Sequence, residues 1–316
     1  MKFHKILAVM AVFVSTAMAW ATPALAGVVR SADGERLGVA VDKQMGFQSA
    51  ATEIMERIAS FHDLLLTISV LVTIFVFILL AIVIVRFNSK ANPKPSKTSH
   101  NLILEIVWTV VPVIILVVIA VPSFKLLYYQ DTIPDADVVI KATGNQWYWT
   151  YEYPEEGGLG FDSNMLPDSY FEENMTTEVA AEREVVVSEL QAIMAMDEEP
   201  PLYRLLETDT RIVVPVNKNV KMVVTASDVI HAWTIPAFGV KIDAVPGRIN
   251  ELWFNAQEVG TYYGQCSELC GIRHAFMPIV VQVVSEEDYA AWLVRAKDMY
   301  AEADMQNVVR LASTQQ

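Results

Sequence analysis

Residues 64–85 read "LLLTISVLVTIFVFILLAIVIV", 22 positions without a charged side chain. About 20 apolar residues in helical conformation cross the hydrocarbon core of a bilayer, so this run is long enough to span one. A second run, "IVWTVVPVIILVVIAVPSF" at 106–124, carries no charge over 19 positions. Between the two lies "RFNSKANPKPSKTSHN" (86–101), which holds Arg86, Lys90, Lys94 and Lys97 and no acid. Short loops rich in Lys and Arg stay on the cytoplasmic side. The pattern predicts a two-helix transmembrane hairpin over 61–130, with the loop 86–101 in the cytoplasm and both outer ends outside.

The N-terminus agrees with that orientation. "MKFHK" is a basic start, an apolar run follows from Ile6 to Ala21, and "ALAG" surrounds residue 26. This is the pattern of a secretory signal peptide over 1–26, cut after Ala26, with a short membrane anchor as the alternative. Residues 27–60 then form an extracytoplasmic N-terminal segment. Everything after about Asp131 is too polar to span and lies outside. The full chain has a formal charge of -14, and without residues 1–26 it keeps 21 basic and 37 acidic side chains, or -16. Such a surface disfavours nucleic acid and suits a basic protein partner.

From Val138 onward the chain changes period. "VVIKAT", "WYWTYEY", "RIVVPV", "VKMVVTA", "NELWFN" and "PIVVQVV" are β-branched or aromatic runs of strand length, several of them alternating. Short strands between turn residues predict an all-β sandwich of Greek-key type over 131–284. Residues 155–209 interrupt it with 15 acidic side chains against Arg183 and Arg204 alone. We read an acidic insertion at about 163–203, whose middle has the composition of a surface helix and equally of a disordered stretch. "SEEDYAAWLVRAKDMYAEA" opens the segment 285–316 with Ser285 and Asp288 in capping-box spacing, predicting an amphipathic C-terminal helix.

Both cysteines of the chain fall in "YYGQCSELCGIRHAFMPIV" (262–280), as Cys266 and Cys270, with His274 and Met277 close behind. Two cysteines in an oxidising compartment often pair. A bridge four residues apart would close a small loop and constrain little of the unfolded chain. It would also leave His274 and Met277 without a role. The other histidine of the outer domain is His231 in "SDVIHAWTIP", where we place the end of a strand. Two thiolates, two imidazoles and a thioether suit copper. Zinc held by two Cys and two His would leave Met277 idle. A blue-copper site needs only one cysteine. The extra thiolate permits two sulfurs to bridge two copper ions, although spacing does not by itself give the number of metals.

At this point a resemblance is specific. "GQCSELCGIRHAFMP" resembles the binuclear CuA loop of the cytochrome c oxidase subunit II family. The likeness extends through "GNQWYWTYEY", "DVIHAWTIPAFGVKIDAVPGRIN" and the hairpin motif "EIVWTVVP", from about residue 45 to 284 apart from the acidic insertion. It implies a cupredoxin-like outer domain and an electron-transfer subunit of a bacterial aa3-type oxidase in the cell membrane. Such a subunit takes electrons from cytochrome c and passes them to haem in subunit I, which reduces oxygen and translocates protons. Implied partners are subunit I with its haem and CuB, subunit III, and cytochrome c.

The resemblance also assigns residues. Cys266 and Cys270 would bridge two copper ions, and His231 and His274 would each bind one. Met277 and the backbone carbonyl of Glu268 would complete the ligation, while the Glu268 side chain would help hold a magnesium or manganese ion shared with subunit I. Trp147 would receive the electron from cytochrome c. Glu152, Asp209 and Asp228 would belong to an acidic docking surface, where long-range attraction speeds encounter. Glu105, just inside the cytoplasmic end of the second helix, would stand at the entrance of the K-type proton pathway. On sequence grounds Glu105 equally fits a side chain that snorkels to the interface. Asn145 departs from the pattern, standing where many members have His, but that position is not a copper ligand.

Two other readings use the same features differently. A membrane-anchored copper-delivery protein would need the metal donors but neither Trp147 nor "EIVWTVVP". A quinol oxidase subunit II or a purely structural subunit would lack the copper donors, which here are complete. No C-x-x-C-H haem motif occurs, which separates the chain from members with a fused cytochrome domain.

Overall fold

The apolar runs at 64–85 and 106–124 fall inside two long helices, α1 (Glu53–Arg86) and α2 (Leu102–Asp131). The computed structural model describes residues 38–41, 43–94, 96–194 and 202–313. The signal peptide expected over 1–26 lies outside the described residues. The chain divides into a helical unit built on Arg57–Tyr129 and an outer unit that includes residues 38–56 and 130–313.

In the helical unit, α1 and α2 have 34 and 30 residues. At about 1.5 Å per residue both exceed a hydrocarbon core of about 30 Å. Their apolar side chains are exposed along the spanning stretches, as lipid-facing side chains must be. At one end of this unit the Arg57 guanidinium sits 4.0 Å from the centroid of the Tyr129 ring, joining the start of α1 to the end of α2. At the other end, Asn101 caps α2, its side-chain oxygen accepting from the amides of Ile103 (3.1 Å) and Leu104 (3.3 Å). Glu105 reaches back to accept from the Asn101 amide at 3.3 Å. This carboxylate is therefore part of the helix start, where an acid also complements the helix dipole.

The outer unit contains ten strands among the described residues: β1 (Val138–Asn145), β2 (Tyr148–Tyr153), β3 (Leu159–Ser163), β4 (Ile212–Pro215), β5 (Asn219–Ala226), β6 (His231–Ile235), β7 (Val240–Ala244), β8 (Asn250–Asn255), β9 (Gly260–Gln265) and β10 (Pro278–Val284). A five-stranded sheet runs β3-β2-β1-β5-β8, a three-stranded one runs β4-β10-β9, and β6 pairs with β7. The β1–β5 and β4–β10 pairings are parallel and the others antiparallel. Along β1, β2 and β5 buried and half-exposed side chains alternate, the signature of a sheet with one face on a core. Trp149, Tyr151 and Tyr153 from β2 are buried in that core, as are Trp233, Phe238 and Phe254.

The structure adds strands to the sequence expectation. The stretches forming β3, β7 and β9 contain Gly, Lys or Asp, which are depleted in strands, and β6 is only five residues long, so pairing decides them. In particular, His231 opens β6, paired opposite Ala244, rather than ending a strand. Gly264 on β9 passes so close to β6 that a Cβ there would run into the Thr234 carbonyl, so only glycine fits.

The acidic segment leaves and returns through a narrow neck. Leu166 N–H donates to the Glu207 carbonyl and Asp209 N–H to the Asn164 carbonyl, 2.9 and 3.0 Å. Beyond the neck lies α3 (Thr177–Met194), with Val187 and Leu190 buried. The C-terminal helix α4 (Glu286–Ser313) begins as expected, Ser285 Oγ accepting from the Asp288 amide at 3.1 Å and donating to its carboxylate at 2.6 Å. Trp292 of α4 packs 5.3 Å from the ring of Tyr153.

Candidate metal centre

The cysteine loop is the connection between β9 and β10. Antiparallel pairing brings Gln265 opposite Pro278, and the Cys266 amide donates to the Met277 carbonyl at 3.2 Å, closing the base of the loop. A second tie, from the Ser267 amide to the Ala232 carbonyl at 3.0 Å, fastens it to β6. These backbone bonds bring residues far apart in sequence into one cluster. Cys266 Sγ lies 3.9 Å from His231 Nδ1, 3.9 Å from Cys270 Sγ and 3.4 Å from the Glu268 carbonyl oxygen. Cys270 Sγ lies 3.5 Å from His274 Nδ1 and 3.5 Å from Met277 Sδ.

The sulfur separation rules out the disulfide in this structure, since a bonded pair would sit at about 2.05 Å. Both thiols are free and buried, as are His231 and Met277. The donor atoms of His231, Cys266 and Cys270 all fall within 4.8 Å of one another. His274 joins them through Cys270. The donor set thus has two lobes, each with one imidazole beside one thiol, and the thiols in the middle. Soft sulfurs flanked by imidazoles, shielded from water, fit copper better than a hard cation.

Electrostatics favour one ionised thiol in the pair. Burial opposes ionisation of Cys266, but the hydrogen bond with His231, helped by neighbouring backbone, outweighs it and brings the thiol down to about 7. Burial pushes Cys270 up to about 12, and the charge on Cys266 adds to the effect. His231 rises above its usual range: burial pulls the other way, but the bonds to Cys266 and Asp228 prevail.

Asp228 is built into the site. Its Oδ1 lies 2.9 Å from His231 Nε2, and its Oδ2 accepts from the Gln146 amide at 2.7 Å. Partial burial would raise this carboxyl, yet the bonds from His231, Val229 and Gln146 hold it below the ordinary carboxylate range. With Nε2 engaged by Asp228, Nδ1 faces the cysteines, the division of labour expected of a metal-binding imidazole. Gln146 also donates from its side chain to the Cys270 carbonyl at 2.8 Å, and Trp147 Nε1 donates to the same oxygen at 3.3 Å. Trp147 is half-buried, its ring 3.0 Å from where a Cβ on Gly271 would stand.

The remaining expected residues are dispersed. Glu268 projects its side chain into solvent while its carbonyl turns inward. Glu152 on β2 pairs with Lys141 on β1 at 2.6 Å. Asp209 sits at the neck of the insertion, where burial raises its carboxyl despite bonds from Asn164 and Thr210. Glu105 belongs to the helical unit. Sequence reasoning missed Gln146 and Gly144, whose only signal was their place in "GNQW". A Cβ on Gly144 would come within 2.8, 2.9 and 3.0 Å of His231 ring and side-chain carbons. Gly144→Ala is therefore expected to keep β1 in its sheet but displace the imidazole, weakening copper binding by about tenfold or more. Competition with a copper chelator measures the change.

The comparisons agree with this picture in both halves. The family model for the periplasmic domain of cytochrome c oxidase subunit II matches residues 138–198 and 189–284, and the model for its transmembrane domain matches residues 40–126. The chain is similar to the probable cytochrome c oxidase subunit 2 of Rickettsia bellii (strain RML369-C), 47% identical and covering 83% of this chain and 87% of that one. It is also 47% identical to the cytochrome c oxidase subunit 2 of Cereibacter sphaeroides, over 80% of each chain. Among solved structures, the periplasmic domain of subunit II of cytochrome oxidase of Bradyrhizobium japonicum is 47% identical, covering 53% of this chain and 99% of that one at a TM-score of 0.41. With the transmembrane and periplasmic models of the family together matching most of its length, and relatives 47% identical over four fifths of it, the chain belongs to the cytochrome c oxidase subunit II family of the haem–copper oxidases, as a membrane protein with two spanning helices and a periplasmic domain.

Proposed function

We propose that this chain is the electron-accepting subunit of a bacterial aa3-type oxidase, taking electrons from cytochrome c and passing them to haem in subunit I, where oxygen is reduced to water and protons are translocated. The observation that carries this reading is the two-lobed donor set, in which Cys266 and Cys270 lie 3.9 Å apart and each has its own histidine. Cys266, Cys270, His231, His274, Met277 and the Glu268 carbonyl would hold two copper ions as CuA. When bound, the copper pair supplies reversible one-electron chemistry.

The chain's own residues prepare that site. Burial of both thiols, His231 and Met277 keeps water out, and the backbone ties of the loop hold the donors in place before any ion arrives. Trp147 offers a path from the surface, since its indole is hydrogen-bonded to the carbonyl of a proposed bridging cysteine. The exposed Glu268 side chain is available to a magnesium or manganese ion shared with subunit I. Glu152, Asp209 and Asp228 would add to the acidic field that attracts cytochrome c, with Asp228 also orienting His231. Glu105 would admit protons to subunit I on the cytoplasmic side, and subunit III would complete the assembly. The domain plan follows: signal peptide 1–26, N-terminal segment 27–60, hairpin 61–130, CuA domain 131–284 with its insertion at about 163–203, and C-terminal helix 285–316, with the N-terminus and CuA domain on the periplasmic side of the inner membrane.

Electron paramagnetic resonance of the full-length chain, loaded with copper in detergent, tests this. One unpaired electron shared equally by two coppers is the expected signal. A single-copper spectrum would point instead to metal handling. In the assembled oxidase, Trp147→Phe should leave that spectrum unchanged and slow electron uptake from reduced cytochrome c, and unchanged uptake would remove Trp147 from the path.

A further inference from the structure

A row of side-chain hydrogen bonds crosses the outer sheet toward the metal centre. Asp162 on β3 accepts from Thr150 Oγ1 on β2 at 2.7 Å. Thr150 Oγ1 accepts in turn from Asn145 Nδ2 at 3.0 Å. The Asn145 side-chain oxygen accepts from Ser227 Oγ at 2.6 Å, and its second amide contact is the Thr143 carbonyl at 3.2 Å. Asn145 is buried, and both its donor nitrogen and its acceptor oxygen are engaged. The residue after Ser227 is Asp228, the carboxylate on His231 Nε2.

We propose that Asn145 is a positioning residue for the metal centre, acting through Ser227 and Asp228 to hold His231 with Nδ1 turned toward the cysteines. Three bonds clamp the end of β1 to the Ser227–Asp228 corner. The Ser227 amide donates to the Gly144 carbonyl at 3.1 Å, Ser227 Oγ donates to Asn145, and the Gln146 amide donates to Asp228. Of these, the Asn145 link is the one made by side chains alone, so sequence can change it without disturbing the backbone. A carboxamide offers two N–H donors and a carbonyl acceptor, and here it serves Thr143 and Thr150 on one side and Ser227 on the other. A neutral imidazole has one donor and one acceptor and cannot make all three bonds. Asp228 itself is partly exposed, so without the clamp its carboxylate is free to turn to solvent and release His231 Nε2. The inference rests on the copper reading above for its consequence, but its geometry concerns His231 alone.

The test therefore uses both the metal-free and the copper-loaded full-length chain. The chain has 5 histidines, so labelling histidine with nitrogen-15 gives a spectrum simple enough to assign. In the metal-free wild type, at a pH alkaline enough for the imidazole to be neutral, His231 should carry its proton on Nε2. Asn145→Leu and Ser227→Ala should each produce a mixture of tautomers and weaken copper binding by about tenfold, with altered copper hyperfine coupling. Their combination should add little to either alone. Asn145→Asp keeps the acceptor for Ser227 and should restore the wild-type signal in part. If Asn145→Leu folds poorly, Ser227→Ala, at an exposed position, carries the test. Wild-type tautomer and copper spectrum in Ser227→Ala, or additive effects in the double variant, would overturn the proposal. A wild-type chain that fails to bind two coppers would sink the function proposed above and leave the His231 tautomer to decide this one.

Discussion

Replacing Cys270 with serine is expected to abolish the shared-copper spectrum and reduce oxidation of cytochrome c by the assembled enzyme to background. Cys270 is the hub of the donor set: its sulfur touches Cys266, His274 and Met277 at 3.9, 3.5 and 3.5 Å. A hydroxyl there is a harder and poorer ligand for copper and cannot bridge as a thiolate does. His274 and Met277 would lose their link to the other lobe, leaving a site suited to a single ion. Folding should survive, because the loop is held by backbone bonds to Ala232 and Met277 and the change in volume is small. A buried hydroxyl without a partner costs only about 1–3 kcal/mol. The paired measurements are copper stoichiometry with the resonance spectrum, and turnover with reduced cytochrome c. A Cys270→Ser enzyme with the shared signal and undiminished turnover would refute the two-thiolate centre.

The largest effect on stability is expected away from the metal. Glu207 and Arg211 form an ion pair at 3.0 Å with both side chains buried. Glu207 also accepts from the Tyr263 hydroxyl at 2.9 Å, and Arg211 donates to Gln282 at 3.3 Å. Burial, and then the charge of Glu207, raise the Tyr263 phenol well above its ordinary range, so it remains a donor. The network joins the neck of the acidic insertion to β9 and β10. Glu207→Ala would remove the carboxylate that faces the buried Arg211 guanidinium, and breaking a buried pair by deleting one partner costs about 3–5 kcal/mol. Denaturant melts of the detergent-solubilised, metal-free chain should show it. Adding Arg211→Leu should recover much of the loss, because desolvation of the buried guanidinium, rather than the missing attraction, is the main cost. A Glu207→Ala melt within about 0.5 kcal/mol of wild type would show that water reaches Arg211 and that the pair is not truly interior.

How far the sequence carries can be judged residue by residue. The hairpin is legible because spanning a bilayer is a property of composition: 22 and 19 uncharged positions around a basic loop leave few alternatives. The C-terminal helix is legible for a similarly local reason, since Ser285 and Asp288 form a cap through atoms three residues apart. The identities of the metal donors are also local, compressed into Cys266, Cys270, His274 and Met277 with His231 as the nearest remaining histidine. Strands β3, β6, β7 and β9 were not legible, because their residues take extended form only when a neighbouring strand supplies hydrogen bonds.

The arrangement around the donors belongs to the same class. Nothing near Asp228 marks it as the partner of His231 Nε2 rather than a free surface acid, and Gly144 gives no hint that an imidazole lies against it. The Gly144 contact arises where the end of β1 meets the Ser227–Asp228 corner, joined across 82 residues, while Asp228 lies only three residues from His231 and meets its ring through the turn between them. The sequence by itself determined which metal donors the chain offers and that they lie outside a membrane it spans, since both follow from residue types at short spacing. Only the tertiary structure decided which nitrogen of His231 faces the sulfurs, which acids are tied into the framework, and which glycines are irreplaceable, since those depend on distances that strand pairing alone sets.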